Sequence, residues 1–570
     1  MPMTEPAVAI TDLTYRYRGT KQNAIEAIDL QLERGEFLVL MGPSEAGKST
    51  LATCINGLIP HFHKGKLTGD VVVYGKNTRE HTVSQMAEDV GLVFQDFEAQ
   101  LFSTNVELEI AFGPENFAIP RDDIARRIEE NLAYVGLTAV RNRPPSTLSG
   151  GQKQKLAIAS VLALQPKVLV MDEPTTDLDP ISKMGIFDIT DRLRQRSDLT
   201  LLVVEHETEE VLKADRIALL DDGKLVKVGP AREILQDVDL FESLGLMPLG
   251  IARFYKLMGM ADLPLTPEEA EAAYRKAGWT VSKDRFQAIE EKEQQAQSAM
   301  VSKEPLIRCR DLEFSYPSGV KALDGISLDI YPGDIVAIVG QNGSGKTTLA
   351  KQFNGLLLPT GGSITVNGKT TEEQGIFRLG KNVGYVFQNP DHQIFSETVF
   401  DEVSFGPRLR GLPEDEVKAR VKETLAAVGL EGTEEEDPFS MTKSGRQRVA
   451  VAAVLAVKPD VLILDEPTTG LDYHEQRSMM EMVKHLNENG STIIFITHHM
   501  WVVAEYARKV YVIKDGRVLL EGTTREVFSH EQELEEASLR PPHFIQFTNR
   551  MGYTILRPEE LVNCTEGGGG

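Results

Sequence analysis

Apolar residues run almost unbroken through "VLVMD" (residues 168–172) and "VLILD" (461–465), and again through "TLLVVEH" (200–206) and "TIIFITH" (492–498). Runs of this length without polar alternation predict strands buried on both faces of a parallel sheet. "FLVLMG" (37–42) and "IVAIVG" (335–340) predict further short strands, each feeding a glycine-rich turn and then a helix. Strands that alternate with helices imply an α/β core. "VAVAAVLAV" (449–457) falls well short of the roughly 20 apolar residues that span a bilayer, and predicts a buried helix. The opening "MPMTEPAVAI" lacks the basic and apolar segments of a secretory leader. Work at a membrane would therefore need another chain to carry the spanning helices.

The same pattern is written twice. "ITDLTYRY" (10–17) returns as "CRDLEFSY" (309–316), and "GPSEAGKST" (42–50) as "GQNGSGKTT" (340–348). "VGLVFQDFEAQLFS" (90–103) returns as "VGYVFQNPDHQIFS" (383–396), and "VLVMDEPTTDLD" as "VLILDEPTTGLD". The offset is 346 − 48 = 298 at the first lysine and 465 − 172 = 293 at the Asp-Glu pair, so the chain is two homologous halves. The tails also repeat: "LGIARFYKLMGMADLPLTPEE" (249–269) resembles "PHFIQFTNRMGYTILRPEE" (542–560). This divides the chain into a first domain, 1–240, an appendage and linker, 241–304, a second domain, 305–532, and a second appendage, 533–566. The linker "QAIEEKEQQAQSAMVSKE" (287–304) is polar and has no apolar stripe, which predicts a solvated and in part helical connection. The glycines at 567–570 read as a flexible appended remnant outside the fold.

Bulk composition narrows the function classes. Lys+Arg is 61 and Asp+Glu is 85, a net charge of −24, and a phosphate backbone demands cations, so no nucleic-acid partner is expected. The three cysteines, Cys54, Cys309 and Cys564, are scattered, without metal-ligand spacing or the density of a disulfide framework.

Two kinds of motif carry chemistry. G-x-x-x-x-G-K-[ST] occurs as Gly42…Gly47-Lys48-Ser49 and as Gly340…Gly345-Lys346-Thr347. Such a loop turns backbone N–H groups toward phosphate oxygens, and the following helix N-terminus adds positive potential. Lys48 and Lys346 are expected to reach the β/γ-phosphates, with Ser49 and Thr347 on Mg²⁺. The second motif is Asp172-Glu173 and Asp465-Glu466, each closing an apolar strand and followed by "PTT". The aspartate is placed to hold Mg²⁺ and the glutamate to act as general base on the attacking water.

Together these features resemble the nucleotide-binding subunits of ATP-binding-cassette (ABC) transporters over nearly the whole chain, and "LSGGQ" (148–152) matches the signature motif of that family. The resemblance implies two P-loop NTPase domains in tandem, each an α/β unit with a RecA-like core, an antiparallel β-subdomain and a helical signature subdomain, plus small C-terminal appendages. It implies an ATPase, a translocase using ATP and Mg²⁺. By the same resemblance Gln95 and Gln388 sense Mg²⁺ and the membrane partner, and His206 and His498 lie near the γ-phosphate. Tyr17 and Tyr316 stack on adenine, and Asp179 and Asp472 belong to the D-loops. The remaining ATP-binding positions are Ser44, Glu45, Ala46 and Thr50 in one loop, and Asn342, Gly343, Ser344 and Thr348 in the other. Taken alone, either tyrosine would be an ordinary strand aromatic and either histidine a structural group. "PHFHKG" (60–65) reads as a loop.

The segment "NPDHQIFSETVFDEVSFGP" (389–407) is similar, more narrowly, to the ATPases of energy-coupling-factor (ECF) importers of vitamins and transition-metal ions; "AQLFSTNVELEIAFGPENF" (99–117) is a looser copy. The first half departs from the pattern, with Asp96-Phe97 where the second has Asn389-Pro390. In that family separate membrane subunits supply the coupling scaffold and capture the substrate, and the ATPase works at the cytoplasmic face of the membrane. The competing reading is a soluble tandem ATPase acting on ribosomes or other nucleic-acid assemblies.

ABC halves pair head to tail, so each phosphate loop is completed by the other half's signature. One composite site joins Lys346, Thr347, Gln388, Asp465, Glu466 and His498 to Ser149, Gly150, Gly151 and Gln152. The other joins Lys48, Ser49, Gln95, Asp172, Glu173 and His206 to "MTKSG" (441–445), where Thr442, Lys443 and Ser444 replace the serine and both glycines. Glu45 belongs to the same site and puts an acid where the other loop has Gly343. One consensus and one degenerate site are therefore expected. A one-residue gap in the alignment would instead let Ser444-Gly445 stand in for part of the signature.

Overall fold

The computed structural model describes residues 5–176, 178, 180–195 and 199–567, which form two compact units, Met1–Ala252 and Arg253–Gly570. In the first unit the apolar runs become a six-stranded sheet in the order Lys224–Pro230, Arg216–Asp221, Phe37–Met41, Thr200–Val204, Val168–Asp172, Val90–Val93. All neighbours are parallel except the first pair. Every residue of Phe37–Met41, Val168–Asp172 and Thr200–Val204 is buried, as the unbroken hydrophobicity requires. A four-stranded antiparallel sheet, Ile25–Leu32, Val8–Tyr17, Gly65–Val73 and Lys76–Asn77, shares a core with it through Tyr15, Ile28, Leu40, Leu51 and Val170. Helices Val106–Asn116, Arg121–Val135 and Gly150–Leu162 pack together as a helical part.

The second unit repeats this plan. Its six-stranded sheet runs Val383–Val386, Val461–Asp465, Thr492–Ile496, Ile335–Val339, Lys509–Lys514, Arg517–Thr523. The antiparallel sheet is Lys321–Ile330, Ile307–Ser315, Gly361–Val366 and Lys369–Thr370. The helical part is Val399–Leu409, Glu414–Val428 and Lys443–Leu455, with Val449, Ala450, Val451 and Ala452 buried. Among the described residues no helix is long and apolar enough to cross a membrane.

The appendages are arranged differently from two separate small lobes. Residues 253–301 fold into the second unit, where the strand Trp279–Val281 pairs antiparallel with Thr565–Gly567. Gly567, read from sequence as part of a loose tail, thus holds a place in a strand. Phe254, Tyr255, Tyr274 and Trp279 from one appendage pack with Phe544 and Phe547 from the other. The polar linker is a regular helix, Lys283–Val301, anchored by buried Phe286 against Tyr553 and by Glu293 on Arg525. Point attachments rather than an apolar stripe hold it, which is why periodicity predicted a solvated segment.

Candidate functional site

Each phosphate loop lies between a buried central strand and the helix that follows it. Helices Lys48–Ile55 and Lys346–Phe353 start directly after Gly47 and Gly345, whose backbones are left-handed, with φ of 96° and 107°. A Cβ on either glycine would fall 2.4 or 2.6 Å from the carbonyl oxygen of Ala24 or Ala322, so no other residue fits. Glu45 occupies the position of Gly343 and adopts the same left-handed backbone, φ 63° against 79°; its side chain is exposed. Lys48 Nζ donates to the carbonyls of Gly42 and Pro43 at 3.0 and 2.7 Å, and Lys346 Nζ to those of Gly340 and Gln341 at 2.7 and 2.9 Å. The aromatic at the loop edge is tied to the same helix: Tyr17 hydroxyl lies 3.1 Å from Thr50 Oγ1, and Tyr316 hydroxyl 2.9 Å from Thr348 Oγ1. Ala46 and Ser344 are buried beneath the loops, while Ser44 and Asn342 are exposed on them.

The Asp-Glu pairs end the strands Val168–Asp172 and Val461–Asp465 beside these helices. Thr347 Oγ1 donates to Asp465 Oδ1 at 3.2 Å, and Ser49 hydrogen-bonds the Asp172 carboxylate. Burial pushes the Asp172 carboxyl up to about 6, with the neighbouring Glu173 charge adding to the effect and Ser49 and Lys48 opposing it. Among the described residues Asp172 Oδ1 is buried with no hydrogen-bond partner. A hydroxyl beside a buried carboxylate is a hard-oxygen donor pair of the kind Mg²⁺ takes. These residues therefore fit the ion: Ser49 and Asp172 would hold it in one half and Thr347 and Asp465 in the other.

The two glutamates sit on strained left-handed backbone, φ 46° at Glu173 and 51° at Glu466, as functional carboxylates at strand ends often do. Burial opposes their ionisation. At Glu466 the charge and hydrogen bond of His498, with Lys346 and Thr469, outweigh burial and hold the carboxyl below its ordinary value. At Glu173 the hydrogen bond and charge of His206, with Lys48 and Thr176, do the same. Both are thus ready to accept a proton at neutral pH. Their surroundings differ. Glu173 is gripped from two sides, by Gln95 Nε2 at 2.7 Å from Oε2 and His206 Nε2 at 2.5 Å from Oε1. Glu466 Oε2 meets His498 Nδ1 at 2.9 Å and Thr469 Oγ1 at 3.2 Å, and among the described contacts Gln388 makes no hydrogen bond to it.

The signature segments settle the question of register. Ser149 caps the helix Gly150–Leu162 with a reciprocal capping box to Gln152, and Thr442 caps Lys443–Leu455 by accepting from Gly445 N. Both caps stand five residues before the buried glutamines, Gln154 and Gln447, so the alignment has no gap: Lys443 replaces Gly150 and Ser444 replaces Gly151. The two glycines are not equivalent. Gly150 is exposed with room for a side chain, whereas a Cβ on Gly151 would lie 2.4 Å from Ser182 Cβ. Gly151→Ser is expected to destabilise the first half by about 1–3 kcal/mol through overpacking, read as a lower chemical-denaturation midpoint. Of the D-loop aspartates, Asp472 caps the helix Tyr473–Glu488 and Asp179 lies outside the described residues.

The structure thus assembles the loop, Asp-Glu pair, loop-edge tyrosine and histidine in each half. It also shows a partner that sequence reading missed. Tyr385, in the strand Val383–Val386, donates to Asp465 Oδ2 at 2.5 Å, and the first half has Leu92 at that strand position. The only signal was one differing letter between "VGYVFQ" and "VGLVFQ".

A family model described as ABC transporter matches residues 25–176 and 323–469. A relative from Caldanaerobacter subterraneus subsp. tengcongensis is 55% identical over 99% of this chain and 100% of its own length; its name is "Putative ABC transporter ATP-binding protein". A Methanosarcina mazei relative of the same name is 39% identical over 95% of this chain and 92% of its own. Among solved structures, cbiO1 from Clostridium perfringens, part of the ABC transporter complex cbiONQ, is 38% identical over 42% of this chain and 98% of its own, with TM-score 0.39.

Proposed function

The chain belongs to the ABC transporter family as a tandem ATP-binding ATPase, and from that premise we propose that it energises an ECF-type importer at the cytoplasmic face of the membrane. The cargo class is a vitamin, vitamin precursor or metal ion, and separate membrane subunits would supply the coupling scaffold and capture the cargo. The observation that carries this reading is a pair of exposed aromatic rings in the segment after each of Gln95 and Gln388. Phe395 and Phe405 meet edge to face at 5.0 Å, 62% and 49% exposed. Phe102 and Phe112 repeat the arrangement at 4.6 Å, 63% and 45% exposed. The rings are held in place from beneath: Glu402 Oε2 accepts from the backbone of Phe395 and Ser396, and Glu109 Oε2 from Phe102 and Ser103. A rigidly presented apolar pair on each half suits a partner helix seated against it.

The two sites divide the work. Head-to-tail pairing of the halves would complete the Lys346 loop with Ser149, Gly150, Gly151 and Gln152, and the Lys48 loop with Thr442, Lys443 and Ser444. At the first, Glu466 takes a proton from the attacking water while Lys346 and the loop N–H groups hold the phosphates. Thr347 and Asp465 would hold Mg²⁺ there, and the ion would supply neutralisation of the phosphate charge. The Lys48 site binds ATP more persistently: Lys443 is exposed at the cap where its counterpart is glycine, and Glu173 is already engaged by Gln95 and His206.

Co-purification from detergent-solubilised membranes tests the importer reading. The doubly substituted Phe395→Ala, Phe405→Ala chain is expected to recover about tenfold less membrane scaffold than the parent, with intact nucleotide binding. Undiminished recovery, or ribosomal material following the parent chain, would reject it.

A further inference from the structure

The two aspartates that would hold the metal stand in unlike settings although the phosphate lysine, the buried strand and the glutamate after it repeat. Asp465 is 4% exposed and both its oxygens are spoken for within the half: Oδ1 by Thr347 at 3.2 Å, Oδ2 by the Tyr385 hydroxyl at 2.5 Å. Tyr385 is itself 7% exposed, part of the core between the two sheets, and edge to face with Phe387 at 5.1 Å. Its strand pairs in parallel with that of Asp465, Tyr385 opposite Ile463, so the hydroxyl reaches the carboxylate from a fixed neighbouring backbone. In the first half the residue opposite Val170 is Leu92, whose side chain has no donor, and among the described residues Asp172 Oδ1 is left buried without a partner.

We propose that Tyr385 is a positioning residue that turns the Asp465 carboxylate so that Oδ1 faces Thr347 and the metal, a device that the first half lacks. A carboxylate that ligates a metal binds it better when its other oxygen is held by a fixed donor, because the ligand no longer has to be ordered on binding. Tyr385 takes Oδ2 and leaves Oδ1 on the side of the Thr347 hydroxyl, so it orders the ligand without competing for the ligating oxygen. The inference stands on the shared ATPase geometry and does not depend on the importer reading.

The test uses the full chain carrying Lys48→Ala, so that the second-half loop is the site with an intact phosphate lysine. Mn²⁺ binding is followed by electron paramagnetic resonance in the presence of a non-hydrolysable ATP analogue. Tyr385→Phe keeps the ring and removes the hydroxyl; it is expected to weaken Mn²⁺ binding about 10–100-fold while binding of the analogue in EDTA stays within about twofold. Tyr385→Leu installs the residue that the homologous strand already accommodates, and is expected to show the same split. Mn²⁺ affinity within about threefold of the parent in either folded variant would overturn the proposal, as would an equal loss of analogue binding in EDTA.

Discussion

Glu466→Gln is expected to lower ATP turnover of the assembled transporter by about a hundredfold or more, and Glu173→Gln by less than about threefold. The first substitution removes the carboxylate that can take the water's proton, at the site that the proposed head-to-tail pairing would complete with both signature glycines. Its amide still accepts from Thr469 and faces His498, so folding and nucleotide binding are retained and the loss is confined to turnover. The second removes a carboxylate already committed to Gln95 and His206, at the site that the proposed head-to-tail pairing would complete with Lys443 and Ser444. Steady-state phosphate release by the two variants, side by side, decides the matter. Equal losses would reject the division of labour between the sites and leave the family assignment intact.

The largest stability effect is expected at Arg525→Ala, about 3–5 kcal/mol, seen by calorimetry as a Tm lower by several degrees. The Arg525 side chain is 5% exposed. It reaches Glu293 of the linker helix at 2.8 Å and Glu560 of the terminal appendage at 3.2 Å, and donates to the Thr554 carbonyl. Its guanidinium also lies over the Phe286 ring, 5.6 Å from the centroid. Truncation leaves Glu293 and Glu560 without their shared, buried cation, so the cost exceeds that of a surface ion pair, which is worth at most about 1 kcal/mol. Arg525→Lys keeps the charge but not the two-pronged reach, and an intermediate Tm is expected. A shift below about 2 °C for Arg525→Ala would show that the clasp contributes little.

What could be read from the sequence was local or repeated. "VLVMD" and "VLILD" declared themselves as buried strands because their apolar runs have no polar face. The phosphate loops were legible because their glycines and lysine serve backbone geometry within nine residues. The features that escaped depend on distant approach. Tyr385 and Asp465 are 80 residues apart and meet only through the parallel pairing of their strands. Gly151 looked like a phosphate-facing glycine, yet its side-chain space is taken by Ser182 of the next helix, which the motif alone does not show. The linker helix offered no periodicity because Phe286 and Glu293, not a stripe, attach it. The aromatic residues of the repeated tails were visible one by one, but nothing local says that they share one core.

That shared core ties the order of synthesis to the order of assembly. Phe254, Tyr255, Tyr274 and Trp279 leave the ribosome before the second ATPase has been made, and Phe544 and Phe547, which pack on them, emerge only after it. The strand Trp279–Val281 waits for Thr565–Gly567 in the same way. Separating the two ATPases into independent genes at the linker would therefore cut through a single hydrophobic body, and each product would have to find the other to bury its aromatic face. Fusion in one chain makes that encounter intramolecular and holds the two ATPases at one-to-one stoichiometry.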